Sequence, residues 1–303
     1  MRANARRGTG VKRELKDVTV STVAAVERYP AARALEISMG HCTFGDAILF
    51  CHEPLPGRAF RNVKKVPPST AEVYNHFILK EMYRHIETRF ILAIQYDGYV
   101  LEPEAWNDGF LQYDYIGARW PDFHDGKDVG NGGFSLRSRR LMEITARDDF
   151  EIPPGIGEDE LICRVYRERL ENAFGIRFAP AETADRFSYE NAAPGRSGAA
   201  FSYENAAPNW PTFGFHGLGN FWRHVPDAEI GPIFDQLHRY TYQTFHFMQL
   251  VSIYMLQGRW IPFRELYGRW RRYASIDEIC AHLKPFLPAG SVAQCRAVCQ
   301  ELG

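Results

Sequence analysis

The chain has 303 residues, enough for one large α/β domain or two smaller ones around a sizeable buried core. Hydrophobic residues make up 45 % and charged residues 24 %, which excludes the disordered, collagen-like and coiled-coil classes. Thirty-six Lys and Arg against 37 Asp and Glu leave a net charge of -1, so no overall positive field exists to hold nucleic acid without sequence preference, although a local basic patch stays open.

Residues 1–16 read as a flexible basic tail. Arg2, Arg6, Arg7, Lys12 and Arg13 have no apolar segment behind them, so the tail is not a secretory signal. No window is apolar for long enough to span a bilayer, and the expected location is cytoplasmic. The six cysteines form no Cys-x-x-Cys pair, which suits a reducing compartment. Cys295 and Cys299 are spaced to bind metal from one helix, but nothing near them in sequence completes a site, and a structural role is the expectation.

From Asp17 to Pro180 short β-branched runs alternate with helical stretches, the pattern of an α/β sheet with crossover helices. Val18–Val23 and Ala47–Cys51 read as strands. Ser69-Thr70-Ala71-Glu72 is a capping box opening a helix to about Glu87, on the spacing of Val73, Phe77, Met82 and Ile86. Phe90–Ile94 is a continuous apolar run, as in a strand buried on both faces. Further strands are expected over Tyr115–Ala118 and from Gly133, and a helix from Glu158 to Phe174 that stops at Gly175. The octapeptide Phe187–Pro194 recurs as Phe201–Pro208, and residues 181–212 read as a surface loop lengthened by duplication. From Asp227 the chain is helical and aromatic-rich, expected to pack its apolar face on the sheet rather than on a membrane surface.

Three loops can carry chemistry. Asp97 lies just past the carboxyl end of a buried strand, where open α/β sheets bind ligands, and a carboxylate there can hold a divalent cation against substrate phosphates; an Asp-Gly turn explains the same residues. Gly130-Asn131-Gly132-Gly133 lets a ligand approach the backbone, or makes a tight turn. Glu158, Asp159 and Glu160 at a helix start offer a general base for an incoming hydroxyl, or ordinary capping.

Gln95-Tyr96-Asp97-Gly98, Tyr113-Asp114-Tyr115-Ile116-Gly117-Ala118-Arg119-Trp120 and Val129-Gly130-Asn131-Gly132-Gly133-Phe134-Ser135-Leu136-Arg137-Ser138 resemble a bacterial family of glycosyltransferase-like proteins of the GT-A type, over about Val18 to His216. The resemblance implies a GT-A-like, Rossmann-type mixed sheet flanked by helices over 17–224; the helical extension over 225–303, read from its own pattern, lies outside it. It implies that Asp97 is the last acid of an Asp-x-Asp motif whose first acid is here Gln95, and that His216 of Phe213-Gly214-Phe215-His216 completes the cation site, with Mn²⁺ or Mg²⁺ bound. Asp159 matches the acid that deprotonates the acceptor in inverting members, with Glu158 as the fallback. Ser21, Thr22, Gln95 and Tyr96 would meet the nucleotide, and Gly132, Gly133 and Trp120 the sugar or acceptor. The activity implied is transfer of a sugar from a nucleoside diphosphate, a UDP-sugar first, to a hydroxyl of a polysaccharide, lipid-linked glycan, protein or modified nucleic-acid base. Two other readings stand beside it: a metal-dependent nucleotidyltransferase or phosphohydrolase, and an inactive glycan-binding scaffold, which the uncharged Gln95 keeps open. Sequence leaves the oligomeric state undetermined.

Overall fold

A computed structural model describes residues 12–24, 27–64, 71–120, 123, 125–190, 210–288 and 290–302. β1 (Arg13–Ala24) starts inside the segment expected as tail and is long because both its faces are covered: Val18, Thr19, Val20, Ser21 and Thr22 are all buried. α1 (Arg28–His41) buries Ala31, Ala34, Leu35 and Ser38, an i, i+3, i+4, i+7 stripe of mostly small side chains, and returns the chain to β2 (Cys42–Cys51) parallel to β1. β3 (Arg61–Lys64) adds a parallel edge.

The helix expected over 69–87 is shorter and broken. Its capping Ser69 and Thr70 lie outside the described residues; α2 (Ala71–His76) passes into a π turn at Phe77–Glu81 and a 3-10 turn at Met82–His85. Phe77, Ile78 and Leu79 are consecutive and all buried, which one α-helical stripe cannot achieve, and widening the turn brings all three inward. β4 (Phe90–Ile94) is the expected fully buried strand and pairs parallel with β1.

β5 (Tyr99–Val100), β6 (Tyr115–Ile116) and β7 (Phe134–Ser138) follow, β7 running antiparallel to both β4 and β6. α3 (Arg139–Thr145) starts on Ser138, whose Oγ accepts from the Leu141 N–H. α4 (Glu158–Glu160) and α5 (Arg167–Phe174) are separated by a π turn over the buried run Leu161-Ile162-Cys163, and α5 stops at Gly175 with φ +61°.

The expected surface loop is corrected at its start. Residues 181–190 form α6 (Ala181–Phe187) and β8 (Ser188–Tyr189), and Phe187, Ser188, Tyr189 and Glu190 are buried. The strand is created by pairing with β9 (Gly214–Phe215), a partner too distant in sequence to show in the local pattern. The second octapeptide lies outside the described residues.

The main sheet has the order β3-β2-β1-β4-β7-β6, mixed in direction, and a small sheet has the order β5-β9-β8. The helical C-terminal region comprises α7 (Phe221–His224), α8 (Asp227–Phe234), α9 (Phe245–Leu256), α10 (Trp260–Trp270), α11 (Ile276–Leu283) and α12 (Ser291–Leu302). Its aromatic residues Phe234, Phe247 and Trp270 join one continuous core with Leu92 of β4 and Phe215 of β9, so the extension packs on the sheet as expected. No described helix is long and apolar enough to cross a membrane.

Candidate active site

The strand order reverses between β1 and β4: β1 leads outward to β2 on one side, β4 to β7 on the other. The crevice outside such a switch point is where open sheets bind ligands, and Gln95-Tyr96-Asp97 leaves β4 there. Three pairings then bring distant residues to Asp97. The Gln95 N–H donates to Gly133 O at 2.8 Å, drawing in the glycine-rich loop. Tyr99 pairs with Phe215, which carries His216 beside the Asp97 turn. Tyr189 also pairs with Phe215, and its carbonyl accepts from the His216 N–H at 2.9 Å, so Glu190 arrives next to His216.

The imidazole of His216 lies between two carboxylates, Nε2 3.3 Å from Asp97 Oδ1 and Nδ1 3.0 Å from Glu190 Oε1. All three side chains are nearly withdrawn from solvent. Burial alone would lower the His216 pKa, but the two negative charges outweigh it and hold it well above the usual value. Burial conversely raises Asp97 and Glu190, and the His216 charge, followed by that of His246, carries both below the ordinary carboxylate range. The contacts are close without being aligned: Asp97 Oδ1 and His216 Nδ1 have no hydrogen-bond partner. Glu190 Oε2 is fixed from the other side by the Asn131 amide at 2.8 Å.

The glycines are dictated by this crowding. A β-carbon on Gly133 would stand 2.0 Å from His216 Nε2, and one on Gly132 would stand 2.6 Å from Glu158 Oε1 and 2.9 Å from Asp159 Cβ. The loop therefore separates two acidic groups. On its second side the Gly132 N–H donates to Asp159 Oδ2 at 2.9 Å, and the Glu160 N–H donates to Asp159 Oδ1. Burial, then the neighbouring Glu158 charge, pushes Asp159 up to about 6. Glu158 itself is engaged: Arg137, fully buried on β7, grips its two oxygens at 2.7 and 2.9 Å. That contact leaves Asp159 the freer carboxyl of the pair.

The remaining expected residues divide. Gln95 joins the cluster, its Oε1 3.3 Å from His216 Nε2 and its Nε2 donating to the Tyr74 hydroxyl at 3.0 Å. Ser21 and Thr22 lie on β1 opposite Ala93 and Ile94 with buried, unpartnered hydroxyls, but strand alternation points them to opposite faces, so they are not brought together. The Tyr96 hydroxyl meets Thr241 of the helical extension. Trp120 packs its ring over Gly130, where a β-carbon would come within 2.1 Å, and against Phe123. Glu190 and His246 lie outside the family motifs that sequence marks, and Asn131 and Arg137 lie inside one without a role of their own assigned there. A cavity of about 720 Å³ lined by Glu102, Trp106, Asp185 and Trp210 shares none of the cluster's residues.

A family model described as a protein of unknown function, DUF5672, matches residues 59–216. The chain belongs to that family. The DUF5672 stretch ends on His216 and contains Asp97, Gly132, Gly133, Asp159 and Glu190, whereas Ser21 and Thr22 of β1 and His246 of α9 lie outside it. No curated protein matches the sequence. Among solved structures, the chain is similar to a glycosyltransferase involved in glycosylation of the major capsid of PBCV-1, at 11 % identity and a TM-score of 0.40, over 70 % of this chain and 95 % of that one. It is similar to the galactosyltransferase LgtC in complex with donor and acceptor sugar analogs, at 12 % identity and a TM-score of 0.33, over 65 % and 86 % of the chains. A third is the glycosyltransferase GlyE of Streptococcus pneumoniae TIGR4, at 12 % identity and a TM-score of 0.33, over 56 % and 45 %.

Proposed function

We propose that this chain is an inverting glycosyltransferase that moves a sugar from a nucleoside diphosphate, a UDP-sugar first, to a hydroxyl acceptor. The observation that carries the reading is the meeting of Asp97, His216 and Glu190 at the switch point of the sheet, 3.3 and 3.0 Å apart around one imidazole. The donor set fits a divalent cation. Asp97 Oδ1 is buried and faces the imidazole without an aligned hydrogen bond, and Glu190 at Nδ1 leaves Nε2 toward Asp97, the order of a carboxylate–histidine–metal series. Asp97 and His216 would hold the ion, which would replace the proton that the imidazole otherwise carries at Nε2, and a nitrogen donor beside a carboxylate favours Mn²⁺ over Mg²⁺. When bound, it supplies Lewis-acid stabilisation of the charge developing on the departing diphosphate.

The chain's own groups do the rest. The Gly132 N–H orients Asp159, whose carboxylate accepts the proton of the attacking hydroxyl; a pKa of about 6 keeps it ionised at neutral pH while remaining a useful base. Arg137 neutralises Glu158 and so keeps the second carboxylate from competing for that proton. We take residues 17–224 as the transferase domain and 225–303 as an extension that reaches back to it through His246 and through Thr241 at Tyr96.

Thermal unfolding with Mn²⁺ and a panel of nucleotide sugars tests the reading. A rise specific to one donor and dependent on Mn²⁺, absent in Asp97→Ala, is the expected result. No response to any nucleotide sugar with Mn²⁺ present overturns it. Stabilisation by nucleoside triphosphates alone would transfer the site to nucleotidyl chemistry, and binding of free glycans without a nucleotide would make it a scaffold.

A further inference from the structure

We propose that Cys280, Cys295 and Cys299 form a binding site for one thiophilic divalent cation of the zinc class, fastening the last helix of the chain. The site shares no residue with the cluster around Asp97.

Cys295 and Cys299 are four apart on α12 and present one face; Cys280 on the facing α11 meets them, so that the three sulfurs lie within 4.8 Å of one another. A zinc ion holds thiolates at about 2.3 Å, which places any two of them roughly 3.8 Å apart, a separation this triad reaches with a small contraction. All three side chains are buried. Soft sulfur donors out of water select zinc-class ions over the hard cations that suit an oxygen-rich cleft.

The packing of α12 gives the triad a task. Cys295 and Cys299 are fully buried, Val298 is partly so, and the neighbouring Ala293, Gln294, Arg296, Ala297, Gln300 and Glu301 are exposed. Among the α12 residues whose side chains are described, two small buried thiols and the half-buried Val298 remove little apolar surface from water. Two polar contacts among the described residues also hold it: the Tyr267 hydroxyl donates to Cys299 O at 2.7 Å, and Arg296 pairs with Asp277 at 2.7 Å on the exposed side. An ion shared between α11 and α12 would add a direct cross-link between the two helices.

Burial pushes Cys280 up, while the hydrogen bond to Cys299, then burial, pushes Cys295 up, with Arg296 pulling both the other way. Binding exchanges the thiol protons for the metal: three S–H bonds break, three metal–sulfur bonds form and three protons leave to solvent, with no change of oxidation state. Occupancy therefore increases with pH.

The test uses the full chain, reduced and freed of metal. Titration with Co²⁺ is expected to give a near-ultraviolet thiolate-to-metal charge-transfer band that saturates at one equivalent and is displaced by Zn²⁺. Ion bound by carboxylate and imidazole at the Asp97 cluster gives no such band. Zn²⁺ is expected to raise Tm by several degrees. Both effects should vanish in Cys280→Ala and in Cys299→Ala and survive in Cys42→Ala. Should the variants not fold, alkylation of the wild-type chain read by mass spectrometry decides: Zn²⁺ is expected to slow modification of Cys280, Cys295 and Cys299 together by roughly tenfold or more. Absence of the band, its survival in Cys280→Ala, or alkylation indifferent to Zn²⁺ overturns the proposal.

Discussion

Gly133 backs onto His216 so closely that a single added methyl group would lie 2.0 Å from the imidazole Nε2. Gly133→Ala is therefore a selective probe. Relief of the overlap requires the ring to move, at a folding cost of roughly 1–3 kcal/mol, while the sheet pairings that carry both residues remain. The expected outcome is a folded protein whose stabilisation by Mn²⁺ is weakened at least tenfold, read by thermal unfolding against metal concentration. Undiminished stabilisation would remove His216 from the cation site.

Arg137 and Glu158 form a two-point pair with both side chains out of water. Breaking it from one side strands a buried charge, so Arg137→Met should cost about 3–5 kcal/mol in denaturant unfolding. The double variant Arg137→Met with Glu158→Leu removes both charges and should recover most of that loss. A single substitution costing under about 1 kcal/mol would show that the pair is not desolvated in solution.

For Asp159 two pH effects of opposite benefit follow from one pKa of about 6. As a base it must be ionised, so turnover should climb about tenfold per unit up to pH 6 and level off above it. In the fold it binds its proton more tightly than the unfolded chain does, so the stability it contributes is complete below pH 4 and is lost as pH rises through 6. Asp159→Asn should cut kcat by about 10²–10⁴ with little change in donor KM, and flatten that segment of the stability profile. Retained turnover would end the assignment.

His224 gives the contrary slope. Burial, then the charge of Arg223, depresses its pKa to about 3, and its ring meets the Tyr189 hydroxyl on β8. The unfolded chain takes up the proton first, so stability should fall as pH drops from 6.5 toward 3, approaching about 1.4 kcal/mol per unit. His224→Phe should flatten the curve between pH 6 and 4 in denaturant melts.

What could be read in advance followed from local pattern. β4 was legible because five consecutive apolar residues have few other uses. Asp97, Gly132, Gly133 and Asp159 stood out as candidates because each follows or opens an element whose end the local pattern marks, whereas His216 entered only through the family resemblance, since the two-residue strand before it leaves no local signal. α1 escaped because its inward stripe is mostly alanine and serine, with little contrast against the polar face. Two expected helices were interrupted where three apolar residues in a row forced a π turn, at Phe77 and at Leu161. Glu190 was hidden by its place in a repeated octapeptide with a glycine- and serine-bearing spacer, a pattern that reads as linker; its strand exists only through β9. Arg137 stood inside a recognised motif, but its role depends on a residue twenty-one positions away. His246 sits on a helix whose local pattern contains no reference to the sheet.

The three side chains meeting at the imidazole are carried on very short elements. Asp97 belongs to the turn leaving the large sheet, while Glu190 and His216 hang from β8 and β9, two residues each. Ladders that brief breathe readily, and the separation of the three groups is set by whether they are zipped. On the proposed reading a ligand that bridges the three groups would favour the zipped ladder, and deuterium uptake at the His216 amide should then slow as ligand is added.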